Sequence, residues 1–236
     1  MISKFLKKLQ TLLLPYHCVL CHNKASDYDL CEACKADLPH IEKACSTCAM
    51  PLPVETSQPC GFCQQKSPFY DRTISVFYYQ DPINHMMSQF KFHQKLLYGK
   101  LFSNLLISKI QTELATEELP DIILPIPLHA SRLRERGYNQ ALELARPLAK
   151  VLKLNLDYTS LVRVRATAQQ ALTDEAHREK NVKGAFRLRK KLNVKHVGLI
   201  DDVITTAHTM NECSRVLKEA GVEKITLLAV ARTTLK

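Results

Sequence analysis

The sequence predicts an α/β fold with a mostly parallel sheet, preceded by a small cysteine-rich module. Three observations carry this expectation. Eight of the nine cysteines fall between Cys18 and Cys63, and only Cys213 lies outside. From about Asp71 onward, short apolar strands alternate with helical stretches, the pattern of a sheet covered by helices on both faces. The segment Val197 to Thr209, VGLIDDVITTAHT, then ends an apolar strand in two adjacent carboxylates and runs through threonines into a helix. A chain of 236 residues has room for one sizeable core with a small module beside it. The expected division is an amphipathic helix over 1–14, a cysteine module over 15–70 and an α/β domain over 71–236.

At the N-terminus, Ile2, Phe5, Leu6, Leu9, Leu12 and Leu13 form one helical stripe, with Lys4, Lys7 and Lys8 elsewhere and Pro15 as a stop. Such a stripe suits either an anionic lipid surface or docking on a protein, and it is too short to span a bilayer. The eight clustered cysteines form four C-x-x-C pairs, Cys18/Cys21, Cys31/Cys34, Cys45/Cys48 and Cys60/Cys63. Two intervening residues let a tight turn aim both sulfurs at one ion, so the pairs predict two structural Zn2+ sites. Consecutive pairing gives Cys18/Cys21/Cys31/Cys34 and Cys45/Cys48/Cys60/Cys63; interleaved pairing is the alternative. A disulfide scaffold is the competing reading, and it requires an export signal that the sequence does not suggest. Eight thiolates for two ions leave no open coordination position, so the metals are expected to supply folding energy rather than catalysis.

Beyond the cysteines, Thr73 to Tyr79 reads as a strand, and Asp81-Pro82 opens helical periodicity with a break expected at Gly99. Asp121 to Pro125 is a strand, Gln140 to Leu152 a helix, Leu156 to Val162 a strand and Asp174 to Lys180 a short helix. Val197 to Val203 is the strand that carries the carboxylates. Thr209 to Glu219 is a helix ended by Gly221, and Lys224 to Val230 is a last strand.

The formal charge of +10 is unevenly placed. Residues 1–70 carry seven Lys/Arg against six Asp/Glu, whereas residues 71–236 carry 26 against 17, a net of +9. Within that half, Arg163, Arg165, Arg178, Lys180 and Lys183 form a basic segment suited to a polyanion held by salt-sensitive attraction. An ordinary solvated basic face is the alternative. Trp is absent and no aromatic ladder interleaves these cations, so base stacking is not prominent in the sequence. A second basic set, Arg132, Arg134 and Arg136, follows a strand end and suits a diphosphate, since Arg holds phosphate through two parallel charge-assisted bonds. Their i,i+2 spacing does not place all three on one helical face. Gly137 relaxes the backbone there, and Asn139 is expected to cap the next helix.

The final motif is read in two halves. Asp201 and Asp202 accept hydrogen bonds from ribose hydroxyls, directly or through a divalent ion such as Mg2+. Thr205, Thr206, Ala207, His208 and Thr209 bring hydroxyls and unpaired N–H groups to a helix start, which suits a phosphate. Because carboxylates repel phosphate, the halves must serve different parts of one ligand. Cys213 is expected to be a buried packing residue.

Taken in order, PIPLHASRLRERGYNQ, RVRATAQQALTDEAHREKNVKGAF and LIDDVITTAHT downstream of four C-x-x-C pairs resemble the ComF family of competence proteins, which includes GntX-like members. The resemblance covers nearly the whole chain. The last motif also resembles the phosphoribosyl pyrophosphate signature of type I phosphoribosyltransferases. It implies a phosphoribosyltransferase-type sheet after a double zinc ribbon, with phosphoribosyl pyrophosphate and Mg2+ as ligands. Asp201 and Asp202 would meet the ribose, Thr205 to Thr209 the 5′-phosphate and the Arg132 to Arg136 region the diphosphate. Arg163 to Arg178 would form a covering loop. The family loop reads Thr-Thr-Gly-x-Thr, and Ala207 stands in the Gly place. If that position is left-handed, its Cβ costs about 1 kcal/mol. The implied role is handling of incoming single-stranded DNA in natural transformation, with a competence helicase and the DNA-uptake channel as partners. The implied location is cytoplasmic, with the inner face of the cell membrane as a peripheral contact. An active phosphoribosyltransferase in nucleotide or cofactor salvage is the second expectation.

Overall fold

In the computed structural model, residues 16–25, 29–54, 58–166 and 182–234 are described. The helix expected over 1–14, the helix expected over Asp174 to Lys180, and with it Arg178 and Lys180, lie outside them. The chain divides into two compact units, Met1–Pro39 and His40–Lys236. The cysteine segment expected over 15–70 therefore contributes one quartet to each unit.

The first unit is organised by its cysteines. Cys18 is fully buried, and the short helix α1 (Glu32–Ala36) starts at Cys31, whose Sγ accepts the Cys34 N–H at 3.4 Å. Thus a cysteine side chain does the work that Ser or Asp does at an ordinary helix start.

The second unit opens with the second quartet and helix α2 (Gly61–Gln65). There follow β1 (Arg72–Tyr78), α3 (Ile83–Phe92), α4 (Leu96–Glu113), β2 (Ile122–Pro125), α5 (Ala130–Arg136) and α6 (Gln140–Leu152). The chain continues through β3 (Asn155–Leu156), β4 (Leu161–Arg163), β5 (Phe186–Leu188), β6 (His196–Ile204), α7 (His208–Glu219) and β7 (Lys224–Arg232). Five strands form a wholly parallel sheet in the order β1-β7-β6-β2-β3, while β4 and β5 pair antiparallel outside it. The most apolar strands are central, with Val197, Leu199 and Ile200 of β6 and Ile225 and Leu227 of β7 fully buried, as a sheet covered on both faces requires.

Three local outcomes differ from the sequence expectation. The helical break falls at 93–95 rather than at Gly99, which is buried inside α4. A Cβ at Gly99 would meet the Phe90 ring at 2.7 Å, so this glycine serves a close approach between helices. The strand expected over Leu156 to Val162 splits into β3 and β4 because the Asp157 carboxylate accepts the Thr159 and Ser160 N–H groups at 2.8 and 3.0 Å. That turn takes the chain out of the sheet. The arginine-bearing segment after β2 is itself a helix, α5, closed by Gly137 at φ 81°. As expected, Asn139 caps α6 through the Ala141 N–H, and Cys213 is fully buried.

Strand order creates the site. From β2 the chain moves outward to β3 on one side, whereas from β6 it moves outward to β7 on the other. The C-terminal ends of β2 and β6 therefore flank a topological switch point, the usual ligand crevice of an open α/β sheet. Among the described residues, no helix is long and apolar enough to cross a membrane.

Candidate functional site

Strand β6 delivers Asp201 and Asp202 to this crevice. Asp202 is almost fully buried, and one of its carboxylate oxygens lies 2.8 Å from the Lys91 Nζ of α3. Burial works against the Lys91 charge, but Asp202 and Asp201 outweigh it and hold the ammonium above its ordinary pKa. Burial first, and the neighbouring Asp202 second, push the Asp201 carboxyl up to about 7. Asp201 thus resists ionisation, and Lys91, paired with Asp202, is the cation that lies beside the two carboxyls. Sequence reading missed Lys91 because it lies 110 residues from the motif, at the far end of an amphipathic helix.

Helix α5 supplies the facing cations. Arg132 and Arg136 are four residues apart and share a cleft of about 220 Å³ with Lys91, Phe92, Gln94 and Glu135. Arg136 stacks over the Phe92 ring at 5.2 Å and donates to the Gln140 side chain at 2.8 Å. Arg134, two positions on, is exposed and outside this cleft. Arg163 is half-buried and sits over the Phe186 ring at 5.4 Å. Burial, then the Arg132 guanidinium, lower its pKa, while Asp201 opposes the shift. Arg163 therefore feels the charges of Asp201 and Arg132, whereas Arg165 is exposed and donates to the Lys183 carbonyl at 2.7 Å.

The Thr205 to Thr209 turn connects β6 to α7. Ala207 adopts φ 61°, ψ 4°, the left-handed conformation that a glycine would take without a Cβ penalty. The twelve-residue helix begins at His208, so the first N–H groups face the turn without intrahelical partners. Buried Arg232, at the end of β7, donates to the carbonyls of Ile204, Thr205 and Thr233. These bonds occupy the carbonyl side of the turn, which leaves N–H groups and hydroxyls for an anion. The same guanidinium donates to the Cys48 carbonyl at 3.1 Å, tying the turn to the second cysteine quartet.

The cysteines assemble by consecutive pairing. Within each quartet the sulfurs lie within 4.8 Å of one another, and all nine cysteines are free thiols. Four sulfurs about 2.3 Å from a tetrahedral Zn2+ stand about 3.8 Å apart. The Cys21–Cys31 and Cys48–Cys60 sulfur separations are 3.6 and 3.7 Å, so both quartets fit such an ion. Burial opposes ionisation of Cys18, but the N–H groups of Cys21, Cys31 and Leu20 bring its pKa down to about 6. Burial likewise opposes ionisation of Cys45, and the N–H groups of Cys60, Cys48 and Thr47 bring it to about 7. Each quartet thus contains one sulfur biased toward the thiolate, the form that binds metal. Cys45, Cys48 and Cys63 pack in the same apolar cluster as Leu199, Leu227 and Met210, so the second quartet belongs to the core of the α/β unit.

Residues 9–64 match the double zinc ribbon domain, and residues 139–234 match the phosphoribosyl transferase domain. DNA utilization protein YhgH of Salmonella typhimurium is 32% identical over 226 residues, covering 94% of this chain and 99% of the relative. Competence protein F of Haemophilus influenzae is 30% identical over 224 residues, covering 92% and 97%. Among solved structures, the purine phosphoribosyltransferase of Pyrococcus horikoshii aligns with a TM-score of 0.35 at 17% identity, covering 56% of this chain and 70% of that one. With its paired ribbons, parallel sheet and full-length relatives, the chain belongs to the ComF family of competence proteins, with an N-terminal double zinc ribbon and a C-terminal phosphoribosyltransferase-like domain.

Proposed function

We propose that this protein handles incoming single-stranded DNA during natural transformation and carries a regulatory or positioning site for phosphoribosyl pyrophosphate. The observation that carries the ligand half is the convergence at the switch point of Asp201 and Asp202, the left-handed Ala207 turn, and Lys91, Arg132 and Arg136. In this reading the carboxylates hold the ribose, Thr205 to Thr209 the 5′-phosphate, and Arg132 and Arg136 the diphosphate. Arg134 is exposed and takes no part. Asp201 and Asp202 are hard oxygen donors suited to Mg2+ that arrives with the diphosphate. Two Zn2+ ions occupy the cysteine quartets and supply folding energy. The DNA half rests on relatives whose names describe DNA utilization and competence, and on the +9 charge of residues 71–236. It extends to a cytoplasmic protein working with a competence helicase and uptake channel at the inner membrane face.

The second reading, transfer of the phosphoribosyl group to an acceptor, is favoured by the arginines, since departing diphosphate needs its charge offset. Calorimetric titration of phosphoribosyl pyrophosphate with Mg2+ tests the ligand. Binding is expected for the wild type and not for the Asp201→Asn, Asp202→Asn double variant. Absence of binding to the wild type, confirmed by a second probe, defeats the ligand assignment. Diphosphate release with purine, pyrimidine or amine acceptors establishes the enzyme instead.

A further inference from the structure

We propose that the cleft between the second cysteine quartet and the start of α7 holds an unstacked nucleobase of single-stranded DNA, with Phe62 and Phe69 as its stacking surfaces. The inference deepens the DNA-handling reading above and rests on it. The cleft encloses about 240 Å³ and runs from Phe62 and Phe69 to Thr206, Ala207 and His208 of the phosphate turn. Small-molecule pockets usually measure about 300–1,000 Å³, so this one suits a single ring system rather than a whole nucleotide.

Its chemistry is that of strand binding. Phe62 and Phe69 are 48% and 45% exposed, although the unit has a large apolar core available for them. Both rings are fixed at the backbone. Phe62 stands on α2 between the ligands Cys60 and Cys63, and the Phe69 N–H donates to the Asn211 carboxamide at 2.8 Å. Three cations, Lys66, Lys183 and Arg215, line the cleft against one carboxylate, Glu212. Glu212 accepts from the Gly184 N–H and the Arg215 guanidinium, each at 2.7 Å, and Arg215 pairs with Glu219 as well, so these charges offset one another and Lys66 and Lys183 are the other cations of the lining. Aromatic faces beside cations form a platform that accepts any unpaired base, and a duplex cannot offer its bases in this way. A backbone phosphate drawn to Lys66 and Lys183 at the lining places the adjoining base in the cleft.

The test uses the full-length, zinc-loaded protein and fluorescence anisotropy with two labelled oligonucleotides of equal length and charge, one of them abasic at every position. The wild type is expected to bind the normal strand about ten-fold or more tighter, because stacking contributes to that extent per base. The Phe62→Ala, Phe69→Ala double variant is expected to lose that preference while keeping the salt dependence of binding, which reports phosphates alone. An oligonucleotide carrying 2-aminopurine should change fluorescence on the wild type and not on the variant. Equal wild-type affinity for both strands overturns the proposal whether or not the variant folds. Equal discrimination by a folded double variant overturns the site. Competition by a free nucleoside monophosphate as strong as that of the oligonucleotide reassigns the cleft to a free nucleotide. Failure of the wild type to bind any strand defeats the DNA-handling reading itself, a separable result.

Discussion

Ala207 is the residue at which local strain and ligand chemistry meet. Its left-handed φ of 61° puts a Cβ where the related loop has none. Ala207→Gly is expected to raise stability by up to about 1 kcal/mol and to leave binding of phosphoribosyl pyrophosphate unchanged or tighter. A thermal melt and a calorimetric titration read the two effects. Asp201 gives a pH signature. Its folded pKa of about 7 lies above the unfolded value, so the folded state holds the proton more tightly. The stability it contributes is present below about pH 4 and is lost as the pH rises through 7. Asp201→Asn removes this dependence. The melting temperature of the variant relative to wild type should therefore climb between pH 4 and pH 8, and a constant difference would contradict the buried-pair account. Arg163, whose charge is felt by Arg132 and Asp201, is expected to act on the crevice. Arg163→Gln should weaken phosphoribosyl pyrophosphate binding more than it weakens strand binding, whereas Arg165→Gln should do the reverse.

At the scale of elements, the two cysteine quartets have the same spacing motif and different surroundings. In the first, Cys21 is exposed; in the second, three of four cysteines are buried in the α/β core. A chelator is therefore expected to strip zinc in two phases, with the first quartet emptied faster. Native mass spectrometry sampled through the reaction resolves the steps. Cys60→Ser should lower the melting temperature of the α/β unit, because the quartet packs against Leu199, Leu227 and Met210. Cys31→Ser should leave that transition in place. The Arg232 bonds to Cys48 and to the Ile204 and Thr205 carbonyls add a corollary. Loss of the second ion should weaken phosphate binding, and loss of the first should not.

For the whole molecule, the basic surplus predicts a salt-sensitive affinity for single strands with little dependence on sequence. Anisotropy measured at two salt concentrations should show a steep loss, and a flat response would remove counterion release from the account. Charge placement was readable because counting needs no coordinates: residues 71–236 carry the surplus wherever the chain runs. Which cations act together was not readable. Arg132 and Arg136 meet Lys91 because α5 forms after β2 and α3 ends beside β6, a contact that depends on strand order.

By itself the sequence determined the elements whose information is local. Four C-x-x-C pairs encode two sulfur quartets, since short turns aim neighbouring thiols at one point. Alternating apolar runs encode a parallel sheet, and Gln140–Leu152 begins where Asn139 provides a cap. The carboxylate-threonine motif of β6 was equally legible because its thirteen residues are consecutive. Tertiary structure decided what consecutive residues do not encode. It split the cysteine segment, so that one quartet stands in the first unit and the other completes the α/β core. It also brought Phe62 and Phe69 to Lys183 and the turn at Thr206 to His208, although the basic segment has no aromatic ladder of its own. The reason is physical: periodicity reports which face of an element is buried, whereas the partner on that face is chosen by long-range packing.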